Sequence, residues 1–159
     1  MKKQLFISIE GIEGMGKSTV FKGLAQYFSD KSIDFISTRE PGGTPLAERI
    51  RKALLAHEKE AISPVTELLL MFASRAQHVD QVVMPAIEQG KWVICDRFVD
   101  ASYAYQGGGR KIDQTWLDAL TSWTVPMMPD ITFLLDGPES LGASRISKRS
   151  TKDRIEIEK

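Results

Sequence analysis

The chain of 159 residues is 42% hydrophobic and 26% charged, proportions that fit one α/β domain with a core of its own. Its 21 Lys and Arg balance 21 Asp and Glu, so no net field draws it to nucleic acid or a membrane, and cationic work must come from local clustering. Cys95 has no second cysteine to pair with, no apolar run reaches membrane-spanning length, and the start MKKQLF lacks a signal-peptide core, so the cytoplasm is the expected compartment.

The apolar, β-branched run 4–10 predicts a first strand, and residues 17–29 show helical spacing after it. A second strand is predicted at 33–38, then helices at 45–58 and 64–89, the latter opened by Pro64 and stopped by Gly90. Strand 92–96, helix 113–124, strand 131–136 and helix 139–149 follow. Glycine- and proline-marked stretches at 39–45, 105–111 and 125–130 read as loops. Strands alternating with helices predict a parallel sheet covered on both faces, a three-layer α/β/α fold in a single domain over 1–159.

Between the first strand and the first helix lies GIEGMGKST (11–19), which matches G-x-x-x-x-G-K-[ST] at every fixed position. Gly11, Gly14 and Gly16 let the backbone curl until several N–H groups face inward around an anion. The helix starting near Lys17 adds its N-terminal dipole. Lys17 can reach the β and γ phosphates of a nucleotide, and the Ser18 hydroxyl can ligate Mg²⁺. A nucleoside triphosphate, with ATP and Mg²⁺ the expected pair, would contact Gly11, Ile12, Glu13, Gly14, Met15, Gly16, Lys17, Ser18 and Thr19.

Such a loop serves GTP switches, motor ATPases and small-molecule kinases. No N-K-x-D guanine reader is present, and a motor would usually be larger. A kinase needs a second anionic pocket facing the γ-phosphate. WVICDRF (92–98) places Asp96 and Arg97 at a strand's carboxyl end, where ligands bind in parallel sheets. Asp96 can hold Mg²⁺ directly or through water and Arg97 an acceptor phosphate; the two can equally form a structural ion pair. Arg39 and Glu40 close the second strand, Arg49 and Arg51 follow in the next helix, and Glu67, Arg75 and His78 lie on the long helix. Glu67 and His78 can be plain polar neighbours there. The arginines favour a phosphate acceptor. A nucleoside kinase would instead use Glu40 as carboxylate base toward a hydroxyl, and a sensing module would bind ATP without transfer. Cys95 reads as a buried thiol, Trp92, Trp116 and Trp123 as packing residues, and His57 and His78 lack zinc spacing.

Taken together, GIEGMGKST, TREPGGTPLAERIR, LLLMFASRAQH, CDRFVDASYAYQGGGR and DRIE closely resemble thymidylate kinase of the bacterial type, in the P-loop nucleoside monophosphate kinase family, in order from residue 5 to residue 158. The resemblance implies a P-loop kinase fold and transfer of the ATP γ-phosphate to the 5′-phosphate of dTMP, giving dTDP for dTTP synthesis. It also implies a homodimer, expected through helix 64–89. It places Glu13 near the sugar 3′-hydroxyl and the phosphate–Mg²⁺ region, with Arg97 and Arg51 clamping the acceptor phosphate. Arg75 would reach the base and its phosphate, Ser102 and Gln106 would read the edges of thymine, and Tyr105 would crowd the sugar's 2′ position. Arg149 and Arg154 would stand in a lid over ATP at about 146–154, supplying the cation that Met15 does not. With Lys17, Glu13 and Arg97 they form the implied catalytic set.

Members of the family often carry an aromatic residue four positions before Arg75 to stack on thymine. That position is Met71 here, with Phe72 next, and Phe72 is the candidate for packing on the base. Members also continue with further helices and a last strand, so part of the adenine pocket and dimer surface is expected to lie outside these 159 residues. The implied acceptor is a phosphate monoester with a second pKa of about 6, largely a dianion at neutral pH. It needs no general base, so catalysis should consist of positioning and charge stabilisation.

Overall fold

The computed structural model describes residues 4–56 and 60–147; Arg149, Arg154, most of the expected lid and His57 lie outside the described residues. Four strands, β1 (Phe6–Glu10), β2 (Phe35–Arg39), β3 (Trp92–Asp96) and β4 (Ile131–Leu134), form one parallel sheet in the order β2-β3-β1-β4. Ile9 and Arg39 both lie level with Asp96, so the carboxyl ends of β1, β2 and β3 finish together. Strand side chains alternate between faces. Phe6, Val93 and Cys95 therefore enter one core with Val79, Val83 and Phe98, while Ile7, Ile9 and Ile94 enter another with Phe28. The two cores make the expected three layers.

The first core is closed by the long helical segment after Pro64, the second by α1 (Lys17–Asp30). The helix that Pro64 opens begins where the sequence places it, and side-chain caps close two helix starts. Thr44 caps α2 (Pro45–Leu55) by accepting from Ala47 N at 3.1 Å, and Ser63 caps α3 (Pro64–His78) by accepting from Thr66 N at 3.2 Å, each with proline in the first turn. The segment predicted as one helix over 64–89 is not a single α-helix. It passes through a π turn at Val79–Val83 and resumes as α4 (Met84–Glu88). Pro85 has no N–H with which to bond a carbonyl four residues back, and the wider turn lies just upstream of it.

The stretch after β3 departs most from expectation. Residues 105–111 read as a glycine loop, yet α5 (Val99–Ser102) runs directly into a second π turn at Tyr103–Gly109. Arg110 N to Tyr105 O at 2.9 Å and Ile112 N to Gln106 O at 3.1 Å close its end. Tertiary anchoring of Ser102, Tyr105 and Gln106, described below, overrides the poor helix propensity of the three glycines. α6 (Gln114–Thr124) turns Leu117 into a core cluster with Leu68 and Phe72. The tryptophans of α6 do not pack as expected: Trp116 and Trp123 are 66% and 85% exposed, on the side away from Leu117, whereas Trp92 meets Phe28 edge-on. α7 (Glu139–Ser147) follows β4. Among the described residues no helix is long and apolar enough to cross a membrane.

Candidate active site

Past Glu10 the chain turns through Gly11, Gly14 and Gly16, all at positive φ, before α1 begins. Two of these glycines are also required by close approach. A Cβ on Gly11 would lie 2.4 Å from Leu135 O, and one on Gly14 would lie 2.6 Å from Gly142 O. Gly16 instead faces space with no heavy atom within 4 Å, which leaves the amino end of α1 accessible to an anion. This is the floor of a broad cleft walled by residues 13–20 with Arg51, Asp96, Arg97 and Arg145. Lys17 folds back across the loop, donating to Gly11 O at 2.7 Å and Ile12 O at 3.0 Å. Burial first, then the neighbouring Arg97, holds its pKa below the usual lysine range. Arg145 on α7 donates to Gly14 O at 2.8 Å.

Across the cleft, β3 ends in a fixed turn. Arg97 has φ +69, in the left-handed region that a residue with a side chain enters at a cost. Three bonds hold it there: Arg97 N to Ile9 O at 3.0 Å, Cys95 Sγ to Arg97 O at 3.0 Å, and Phe98 N to Glu10 Oε1 at 2.6 Å. Burial pushes the Glu10 carboxyl up to about 7, against the Phe98 N–H bond that lowers it. The Arg97 guanidinium then donates to Glu13 Oε1 at 2.5 Å and lies over the Tyr105 ring, whose hydroxyl donates to both Glu13 oxygens at 2.9 and 2.8 Å. Burial would raise the Glu13 carboxyl, but Arg97, Tyr105 and Lys17 together bring it below the usual carboxylate range. Burial, then the Glu13 carboxylate against the opposing pull of Arg97, drives the Tyr105 phenol upward, so it stays a donor. Asp96 Oδ1, at the same strand end, is buried with no hydrogen-bond partner.

Behind this cluster lies a second cavity, lined among others by Glu40, Arg51, Met71, Arg75, Ser102 and Gln106. Arg75 is 3% exposed and held from several sides. Its Nε donates to Glu40 Oε2 at 2.7 Å, and Nη2 donates to Phe98 O at 3.0 Å and Ser102 Oγ at 3.1 Å. Its Nη1 is buried without a partner. Glu40 spends its other oxygen on His78 Nδ1 at 2.9 Å, and His78 Nε2 meets Thr38 Oγ1 at 2.6 Å. With both oxygens engaged, Glu40 orients Arg75 and is poorly placed as a base toward a sugar hydroxyl. Gln106 Nε2 donates to Glu67 Oε1 at 2.9 Å, and Arg51 Nη1 donates to Pro41 O at 2.9 Å.

The structure thus gathers Glu13, Lys17, Asp96 and Arg97 with Arg51, Arg75, Ser102, Tyr105 and Gln106 around two adjoining spaces. Phe72 is the exception. It is 1% exposed, packs with Leu68 and Leu117, and carries the Arg75 guanidinium on its ring at 4.7 Å. Met71 is the residue that lines the cavity. Neighbouring helix positions differ by about 100°, so Met71 faces the cavity and Phe72 the core. Glu10, Glu67 and Arg110 carry hydrogen bonds of the site that sequence reasoning had not assigned, as does Arg145. Their partners are remote in sequence, and no local spacing marks them.

A family model described as thymidylate kinase matches residues 9–159. A thymidylate kinase of Nitrosomonas europaea is 46% identical over 159 residues, covering 99% of this chain and 74% of its own length. One from Marinomonas sp. is 50% identical over 154 residues, covering 96% of this chain and 73% of its own. A crystal structure of thymidylate kinase from Ehrlichia chaffeensis superposes with a TM-score of 0.80 at 38% identity, over 90% of this chain and 82% of that one. Extended matching at this identity, joined to a glycine loop that faces an arginine-lined cavity across the ends of β1 and β3, places the chain in the thymidylate kinase family.

Proposed function

We propose that this chain transfers the γ-phosphate of ATP to the 5′-phosphate of dTMP, as a cytoplasmic enzyme of one kinase domain. The observation that carries the reading is the adjacency of the two spaces, with Arg97 and Glu13 at their boundary. ATP phosphates occupy the loop, where the inward N–H groups and Lys17 meet them. The acceptor monophosphate lies against Arg97 and Arg51, and its base reaches Arg75, Ser102 and Gln106. Tyr105, fixed on Glu13, stands beside the sugar. Transfer forms a bond from an acceptor phosphate oxygen to the γ-phosphorus and breaks the γ-phosphorus bond to the bridging oxygen, leaving ADP. The guanidinium of Arg97 and the ammonium of Lys17 stabilise the charge spread over the transferred group. The lid arginines 149 and 154 are assigned the same work from the family resemblance.

Asp96 and Ser18 suit Mg²⁺. The partnerless Asp96 Oδ1 is a buried oxygen awaiting a cation or its water, and among the described residues no cluster of three or more His, Cys, Asp or Glu competes for one. Magnesium is commonly held this way, by one or two protein oxygens plus substrate phosphates. It would supply charge neutralisation across the β and γ phosphates. A second copy of the chain would pack on α3, where Val65 and Leu69 are 60% and 52% exposed; equilibrium sedimentation tests that.

The central test is ADP formation with ATP and Mg²⁺ on dTMP, dUMP, AMP and thymidine in parallel. Turnover on dTMP well above the others is expected. Transfer to thymidine in place of dTMP would overturn the assignment, as would absence of both turnover and dTMP binding.

A further inference from the structure

The Gln106 amide is a buried group with two nearly identical ends. Rotating it by half a turn exchanges a carbonyl acceptor for an amino donor with little change of shape. Gln106 is 1% exposed and lines the cavity behind Arg97, so which end faces a ligand decides what that ligand must offer. We propose that Glu67, by accepting the Gln106 Nε2 hydrogen bond, fixes the amide with its carbonyl toward the cavity and so makes the site select a 4-oxo pyrimidine over a 4-amino one. The inference rests on the reading of this cavity as the place of the dTMP base.

Glu67 sits on α3 and is itself 1% exposed. Arg110 pairs with it through Nη2 to Oε2 at 3.0 Å and Nε to Oε1 at 3.3 Å. A carboxylate in an ion pair only accepts hydrogen bonds. It welcomes the amino end of Gln106, at 2.9 Å, and repels the carbonyl end. Inverting the amide would set two acceptor oxygens against each other in a buried site. Arg110 supplies the countercharge that lets a carboxylate stay at this depth.

The second fixed point is Arg75 Nη1, a buried donor without a partner at the same cavity. An arginine cannot invert its role. With the Gln106 carbonyl the cavity therefore presents one donor and one acceptor. The 4-oxo, 3-NH edge of thymine or uracil offers the complementary acceptor and donor. The 4-amino edge of cytosine offers the reverse at both points. Arg75 by itself rejects the amino group, and Glu67 keeps Gln106 from accommodating it. Glu67 is thus a positioning residue that acts through another side chain.

Glu67→Gln is the informative change because it preserves volume. An amide there no longer imposes an acceptor on Gln106. With its carbonyl on Arg110 Nη2 its amino group favours the inverted Gln106, and with its carbonyl on Arg110 Nε and Gln106 Nε2 the original amide is kept, so one fixed orientation gives way to two. Turnover of dTMP and dCMP would be compared in the full chain with ATP and Mg²⁺. The expected result is a fall of at least tenfold in the dTMP-to-dCMP ratio of kcat/KM, with dCMP rising in absolute terms. In a Gln106→Met background the same change should leave the ratio unmoved, as a coupled pair requires. If Glu67→Gln does not fold, Arg110→Met, which strips the carboxylate of its partner, should shift the ratio in the same direction. Parallel loss on both substrates, or an equal effect with Gln106 absent, would overturn the proposal while leaving the kinase assignment intact. A wild-type chain that neither binds nor turns over dTMP would overturn both.

Discussion

Replacing Glu10 with glutamine should change how stability depends on pH, by an amount the structure sets. Glu10 is 4% exposed at the end of β1, and its Oε1 accepts from Phe98 N at 2.6 Å. Burial, with a smaller push from Asp100, raises its pKa from 4.5 to about 7 despite that bond and the nearby Arg97 and Arg75. A carboxyl raised on folding binds its proton more tightly in the native chain. Its contribution to stability is fully present below pH 4.5 and is lost as pH climbs through about 7. At about 1.4 kcal/mol per pH unit of separation, the loss amounts to about 3 kcal/mol. Glutamine keeps a carbonyl for the Phe98 N–H and cannot ionise, so the variant should lack this slope. Urea unfolding midpoints, converted to free energies for both proteins from about pH 4.5 to about pH 8.5, measure the difference directly. The variant should gain on the wild type steadily across the window, by about 3 kcal/mol in all. Parallel curves would mean that Glu10 does not hold its proton in the fold, and the reasoning from burial would be wrong.

Arg97→Ala should lower kcat/KM for dTMP by about 10²–10³, the cost of removing one preorganised donor, while ATP affinity by calorimetry stays within a few-fold. Near-normal turnover would remove Arg97 from the transfer step. Phe72→Ala should cost about 3–5 kcal/mol in thermal or urea unfolding, and Met71→Ala much less while raising KM for dTMP. The opposite ranking would put Phe72 at the ligand. Gly43→Ala combines φ +86 with a Cβ placed 2.4 Å from His78 Cδ2 and 2.8 Å from Thr38 Oγ1. It should destabilise by about 1–3 kcal/mol, and an unchanged Tm would show that the His78 ring can move aside.

What could be read in advance was what is encoded locally. The loop 11–19 is legible because an anion cradle needs glycines, lysine and a hydroxyl at fixed spacing within one turn of chain. The helix start at Pro64 is legible for the same reason. The helical course of 99–109 was not, because its three glycines argue against helix and what holds it is the set of bonds from Ser102, Tyr105 and Gln106 to residues 13, 67 and 75. Glu40 offered no hint of its partners either. Its carboxylate joins Arg75 and His78, more than thirty positions away in sequence, across packed elements. Choosing between Met71 and Phe72 needed the rotational setting of α3 about its axis, which depends on where Leu117 of α6 packs.

Gly14 and Gly142 meet backbone to backbone, and a Cβ on Gly142 would also fall 2.8 Å from Glu13 O. An interior helix position ordinarily favours alanine over glycine by about 1 kcal/mol, so α7 accepts a weaker helix in order to rest directly on the loop. Arg145 bolts the contact one turn further on. With no compliant side chain between them, the two parts behave as a rigid linkage. A tilt of α7 is felt at the carbonyl of Gly14, and an anion seated beneath that loop is felt in the helix.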